Sequence, residues 1–291
     1  MSRTLLLLNP NARRGDLDRK ALIADLERIG PVIAPDCSKP ASMQHAISRY
    51  TGSVQRLVVG GGDGTLNAAL PAVLRSRLPL GVLPLGTAND FARSLGIADL
   101  AAAVDIILAG HTRDVDVGLV NDHHFLNAVG VGLGPRINRA LDSGTKARFG
   151  IAGYLLNAYR TARNYRGTRV VIECDGNAVS VRSMHVSVGN GIHYGGGMTI
   201  SRDAKLDDGL LRVISIRPQS FLSLLTYGPS LRTGDVADDE NLQTFAGRTV
   251  IVRSRRTMEV TADGELVTET PAECRSLRRA LEVFVPVAEE P

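Results

Sequence analysis

The segment Gly60-Gly61-Gly62-Asp63-Gly64-Thr65-Leu66-Asn67 carries the densest chemical signal in the chain. It follows the apolar run Arg56–Val59 and precedes a helical pattern. Glycines let backbone N–H groups approach an anion closely, and a helix start adds a positive dipole end. Asp63 is the anomaly. An acid repels a phosphate unless a metal or a transferable proton lies between them, so the segment points to phosphoryl transfer rather than anion binding alone. Asp63 itself reads as an exposed loop acid whose removal should spare the fold. The loop is not a Walker loop, which needs Gly-Lys-Ser/Thr, nor a GxGxxG turn with an acid about 20 residues on.

Other constellations lie downstream. Leu83–Ala92 leaves a second strand end, with Gly86-Thr87 beside Asn89-Asp90, and ligands of open α/β sheets collect at such ends. Gly189–Met198 is a third glycine-rich stretch, of the kind that marks bulges or close backbone approach. Lys205-Leu206-Asp207-Asp208-Gly209-Leu210 reads as a hairpin turn, though one carboxylate with backbone carbonyls can also hold a hard cation. Asp263-Gly264-Glu265 is either another hairpin turn or a carboxylate poised as a general base. Spacing alone does not choose between Asp263 and Glu265 for that base. None of the six histidines shows metal-ligand spacing.

The elements that must position these residues change rhythm along the chain. Thr4–Leu8, Val32–Ala34, Arg56–Val59 and Leu80–Leu83 read as strands. Asp18–Ile29, Met43–Tyr50 and Thr65–Arg75 read as helices, the last kinked or cut by Pro71. That alternation predicts a parallel sheet covered by helices. From about Val115 strands dominate: Asp114–Val120, His124–Val131, Arg169–Cys174, Ala178–Val188, Leu210–Arg217, Thr249–Arg253, Met258–Ala262 and Leu281–Val285. Phe149–Arg163 is the one clear helix among them. The second half therefore reads as an antiparallel sandwich.

Composition bounds the rest. At 291 residues with 44% apolar content and no Trp, the chain can build one large or two ordinary aliphatic cores. Its 34 basic and 30 acidic residues leave +4, too little to mark a nucleic-acid partner. That charge fits weak contact with anionic membranes; Phe221, Leu222, Leu224, Leu225 and Tyr227 read equally as added apolar contact there or as core. Cys37, Cys174 and Cys274 read as reduced thiols of a cytoplasmic protein. No apolar run reaches about 18 residues, so membrane contact should be peripheral, at the inner face.

Asn9-Pro10-Asn11, Gly61–Asn67, Leu85–Ala92, Gly195–Met198, Asp208-Gly209 and Asp263–Glu265, in that order, resemble the diacylglycerol kinase catalytic-domain family. More narrowly, they resemble its soluble bacterial lipid kinases, which are related to sphingosine kinases. The resemblance covers Arg3 to about Pro286. It implies a three-layer α/β ATP-binding domain over 1–118, with about 282–291 returning to it, and a β-sandwich lipid-binding domain over 119–281. It implies ATP contacts at Asn9, Pro10, Asn11, Ala12 and Arg13, at Gly61, Gly62, Asp63, Gly64, Thr65, Leu66 and Asn67, and at Thr87. It implies Mg2+ held by the carbonyls of Lys205 and Leu210 with Asp208. It makes Glu265 the proton acceptor, with Asp263 close by and Asp63 in the catalytic set. The implied activity is transfer of the γ-phosphate of ATP to a lipid hydroxyl at a membrane surface. A soluble-substrate kinase of the NAD kinase kind shares Gly-Gly-Asp-Gly-Thr but should lack the Leu85–Asp90 segment. A silent nucleotide or lipid sensor would not need Asp63, Asp208 and Glu265 intact.

Overall fold

The computed structural model describes residues 2–10, 18–37, 39–135, 167–194, 198–199, 204–217 and 242–287. The chain forms two compact units: Met1–Val117 with Leu277–Pro291, and Gly118–Ser276.

In the first unit, β1 (Thr4–Leu8), β2 (Val32–Ile33), β3 (Arg56–Gly61) and β4 (Leu80–Pro84) lie parallel in the order β2-β1-β3-β4. Leu5 to Leu7, Leu57 to Val59 and Val82 to Leu83 are buried, the continuous apolar runs that a sheet covered on both faces demands. The helices are α1 (Arg19–Glu27), α2 (Pro40–Tyr50), α3 (Asp63–Ser76), α4 (Asp90–Ser94) and α5 (Leu100–Ala109). Asp18 starts α1 by accepting from the N–H groups of Lys20 and Ala21, and Asp99 starts α5 through Ala102.

Two expectations are corrected here. α3 begins at Asp63, not Thr65, so part of the glycine motif is already helix. It also runs through Pro71 to Ser76. Leu66, Ala69, Leu70, Ala72 and Val73 bury one face of α3, and that packing outweighs the backbone bond proline forfeits.

The second unit is a β-sandwich. One sheet runs β9 (Asn177–Ser183), β8 (Thr168–Cys174), β15 (Thr249–Ser254) and the opening of β18 (Ala272–Phe284). The other runs β14 (Leu242–Gly247), β13 (Leu211–Ile216), β10 (His185–Gly189), β7 (Ala128–Gly132), β16 (Glu259–Ala262) and β17 (Glu265–Glu269), all antiparallel. Val170, Ile172, Val250 and Val252 of the first meet Val129, Val131, Val186 and Val188 of the second in one core. A short ribbon pairs β11 (His193–Tyr194) with β12 (Met198–Thr199). β5 (Thr112–Val120) pairs with β6 (His123–Phe125) at its far end. β5 and β18 both continue from one unit into the other.

Two long strands expected from sequence are each divided. Ala178–Val188 breaks at Met184, whose N–H bonds to the Ile216 carbonyl as the chain changes sheets. His124–Val131 breaks at Leu126-Asn127, whose N–H groups turn to Asp263. Phe149–Arg163 and the apolar group Phe221–Tyr227 lie outside the described residues.

The half-buried His185 ring lies against Gly130 and Gly134. Its Nδ1 accepts from the Gly134 N–H at 3.2 Å, so Nε2 carries the proton and faces Ser187 Oγ at 3.0 Å. Burial pushes its pKa down from 6.5 to about 4.

Ile172→Ala should cost about 2–5 kcal/mol through the cavity left in the sandwich, while a polar replacement at exposed Val179 stays within about 0.5 kcal/mol; thermal melts compare them. A lowered folded pKa means that the unfolded chain takes up a proton first as pH falls. Stability should therefore be full above pH 6.5, decline between pH 6.5 and about 4, and level off below. Melts of wild type and His185→Gln across that range check this, the variant losing the His185 component of the slope.

Candidate active site

The glycine loop is the junction of β3 with α3. Gly62 is the N-cap, in extended conformation, so backbone N–H groups at the start of α3 point outward from the sheet edge. A Cβ on Gly61 would strike the Thr65 side chain, and one on Gly86 would strike the Gly62 backbone. These glycines thus let the loop fold against its own helix and against the next loop. Asn9, leaving β1, donates its N–H to the Gly60 carbonyl and its Nδ2 to Thr65 Oγ1 at 2.9 Å.

The second loop is tied to the first. Leu85 N–H bonds to the Gly61 carbonyl, and Asn89 closes the turn through Oδ1 to Gly86 N–H and Nδ2 to Gly86 O. Asn89 stands at the N-cap of α4 in the left-handed region, with no cap bond of its own. The cap comes from Asp63: Oδ2 accepts from Asp90 N–H and Oδ1 from Phe91 N–H, each at 3.1 Å. The expectation of an exposed loop acid is corrected, because Asp63 is half-buried and binds the start of α4 to the start of α3.

A cavity of about 370 Å³ opens beside this junction, lined by Asn9, Gly62, Gly64 and Thr65 on one side and Cys37, Lys39 and Met43 on the other. Its size suits a small-molecule ligand. A helix N-terminus and a lysine on its walls suit an anionic one. Burial raises the pKa of Cys37, against a lowering bond with Ser42, so the thiol is a neutral wall. Sequence reasoning missed Lys39 and Met43, which lie at a helix start without a motif. Of the other expected nucleotide residues, Leu66 is a core side chain, Asn67 is half-buried, and Pro10 and Thr87 are exposed. Asn11, Ala12 and Arg13 lie outside the described residues, as do Gly195 to Gly197.

In the second unit Asp263 and Gly264 both have positive φ and form the tight turn between β16 and β17. The Asp263 carboxylate accepts from the N–H groups of Leu126, Asn127 and Ala128 at 2.8–3.0 Å. Asn190 reinforces this corner, donating its N–H to Asn127 O and its Nδ2 to Leu126 O. Glu265 opens β17 opposite Ala262, its side chain exposed and in no side-chain hydrogen bond or ion pair among the described residues. The two acids between which spacing did not choose thus differ: Asp263 anchors backbone, and the Glu265 side chain stands exposed.

The Lys205–Leu210 turn does not fit a divalent ion. Asp208 Oδ1 accepts from Leu210 N–H at 2.9 Å, and Oδ2 meets Arg212 Nη2 at 2.6 Å. A dication on those oxygens would face a guanidinium.

The sequence model of the diacylglycerol kinase catalytic domain matches residues 3–120, and that of the YegS C-terminal NAD kinase beta sandwich-like domain matches 127–285. A diacylglycerol kinase of Bacillus subtilis (strain 168) is 30% identical over 234 residues, 79% of this chain and 77% of the relative. The chain belongs to the diacylglycerol kinase catalytic-domain family. Another family relative, a diacylglycerol kinase of Staphylococcus epidermidis, is 28% identical over 233 residues, 79% of this chain and 74% of its own. The crystal structure of a candidate diacylglycerol kinase from Bacillus anthracis str. Sterne superposes with a TM-score of 0.80 at 26% identity, covering 98% of this chain and 97% of that one. Membership makes the chain an enzyme of a lipid kinase family, one that transfers a phosphoryl group to an alcohol. No helix among the described residues is long and apolar enough to cross a membrane.

Asp63→Ala should lower stability by about 1–2 kcal/mol, the loss of a helix cap, as well as nucleotide affinity. Gly86→Ala should weaken nucleotide binding at least as much by forcing the two loops apart. Thermal melts with and without ATP, plus calorimetric titration, measure both. Unchanged melting of Asp63→Ala would contradict the clamp.

Proposed function

We propose that this chain transfers the γ-phosphate of ATP to the hydroxyl of a diacylglycerol presented at a membrane surface. The observation that carries this is the cavity beside the α3 N-terminus, with glycine-loop N–H groups and Lys39 on its walls. Residues of 1–118 bind the nucleotide, and the sandwich of 119–281 takes the lipid. The Asn9 and Thr65 side chains, already bonded to each other, orient the phosphate loop. ATP enters as its magnesium complex, in which the metal offsets phosphate charge.

Glu265 is the base. Its carboxylate takes the hydroxyl proton while that oxygen forms a bond to the γ-phosphorus and the bond to the β-phosphate oxygen breaks, releasing ADP. Asp263, held by three N–H groups, fixes the turn on which Glu265 stands. Binding is peripheral, at the inner face of the membrane, without nucleic acid. The match of residues 127–285 to an NAD kinase-like sandwich favours NAD as the second acceptor to test.

Purified chain given γ-labelled ATP with dispersed diacylglycerol, a sphingoid base or NAD should label the diacylglycerol. Label in NAD alone would overturn the lipid reading, and label in none would point to a silent sensor. Glu265→Gln should cut turnover by about a hundredfold or more while nucleotide affinity holds. Turnover near wild type would place the base elsewhere.

A further inference from the structure

The turn that family resemblance gives to magnesium contains a cation of its own. Ala204, Leu206 and Leu211 are buried, so both ends of the turn are pinned in the core and Asp208 has little freedom to swing into water. Its side chain is 20% exposed, and that of Arg212 is 16% exposed. A carboxylate so enclosed needs a positive partner. Arg212 reaches it from β13, four residues on. The register explains the reach: Arg212 stands opposite Gly189 of β10 on one side and Ala246 of β14 on the other. Two small neighbours leave room for the long side chain to lie along the sheet toward the turn. Its Nη1 is buried with no hydrogen-bond partner among the described residues, so Asp208 is the contact that offsets the burial of this guanidinium. Asp207, half-buried in the same turn, adds a second negative charge that the arginine moderates.

We propose that Arg212 replaces a divalent ion at the Lys205–Leu210 turn, so that the turn is held without bound metal. Magnesium is then required only with the nucleotide, which separates this inference from the kinase reading: stability without nucleotide reports it, whatever the acceptor. The experiment uses the full chain, freed of nucleotide, melted in EDTA and in millimolar MgCl2, with retained metal measured after gel filtration from MgCl2. Wild type should melt at the same temperature in both and retain no stoichiometric metal. Arg212→Met should melt roughly 5 °C or more lower, from an unpaired enclosed carboxylate, and should recover part of that loss in MgCl2. Arg212→Lys should stay near wild type and be indifferent to magnesium. Asp208→Asn combined with Arg212→Met should regain stability and lose the magnesium response. A wild type that loses stability in EDTA and retains one equivalent of metal would overturn the proposal, even if Arg212→Met fails to fold. So would an Arg212→Met protein as stable as wild type and equally indifferent.

Discussion

One carboxylate stands at the starts of two helices, and the first unit's loops depend on it. Asp63 is the first residue of α3, and its two oxygens take the first free N–H groups of α4. Negative charge at a helix start is favoured, and here it serves two starts at once. This resolves the anomaly of an acid in a phosphate-type loop. Much of its charge is absorbed by backbone donors, so the acid acts as a clamp between the two loops. The contact between Gly62 and Gly86 follows, because the clamp holds the loops at a separation that no side chain at Gly86 would permit.

The same device recurs. Asp263 gathers three N–H groups of the Leu126–Ala128 segment, Asp208 takes Leu210 N–H before Arg212 reaches it, and Asp175 accepts from Arg248 and Thr249. Those bonds lower the pKa of Asp175. In this chain, acids in turns chiefly hold backbone. The Glu265 side chain, exposed at the start of β17, makes no such bond among the described residues.

Much of the architecture was legible because burial writes itself into local pattern. Apolar runs marked β1, β3 and β4, and alternation marked β8, β13 and β15. The α/β first half and sandwich second half follow from those patterns. What was not legible depends on partners far away in sequence. Asp63 and its N–H partners are 27 and 28 residues apart, so it read as an exposed loop acid; Asp263 and Leu126 are 137 apart, so Asp263-Gly264-Glu265 read as either a turn or a base. The break at Met184 is a change of sheet rather than of composition. β18 was glimpsed only at Leu281–Val285, because Arg275, Arg278 and Arg279 are exposed and hide its earlier alternation.

The passage of β5 and β18 through both units bears on how the chain acquires its shape during synthesis. The outer edge of β4 is paired by Val283, from a stretch made long after the rest of that sheet. That edge has no neighbour until β18, whose opening also completes a sheet of the sandwich, has been made. Unpaired edges invite the wrong partners. The first unit, although it leads the sequence, therefore has a complete sheet only once the last strand of the chain has been made.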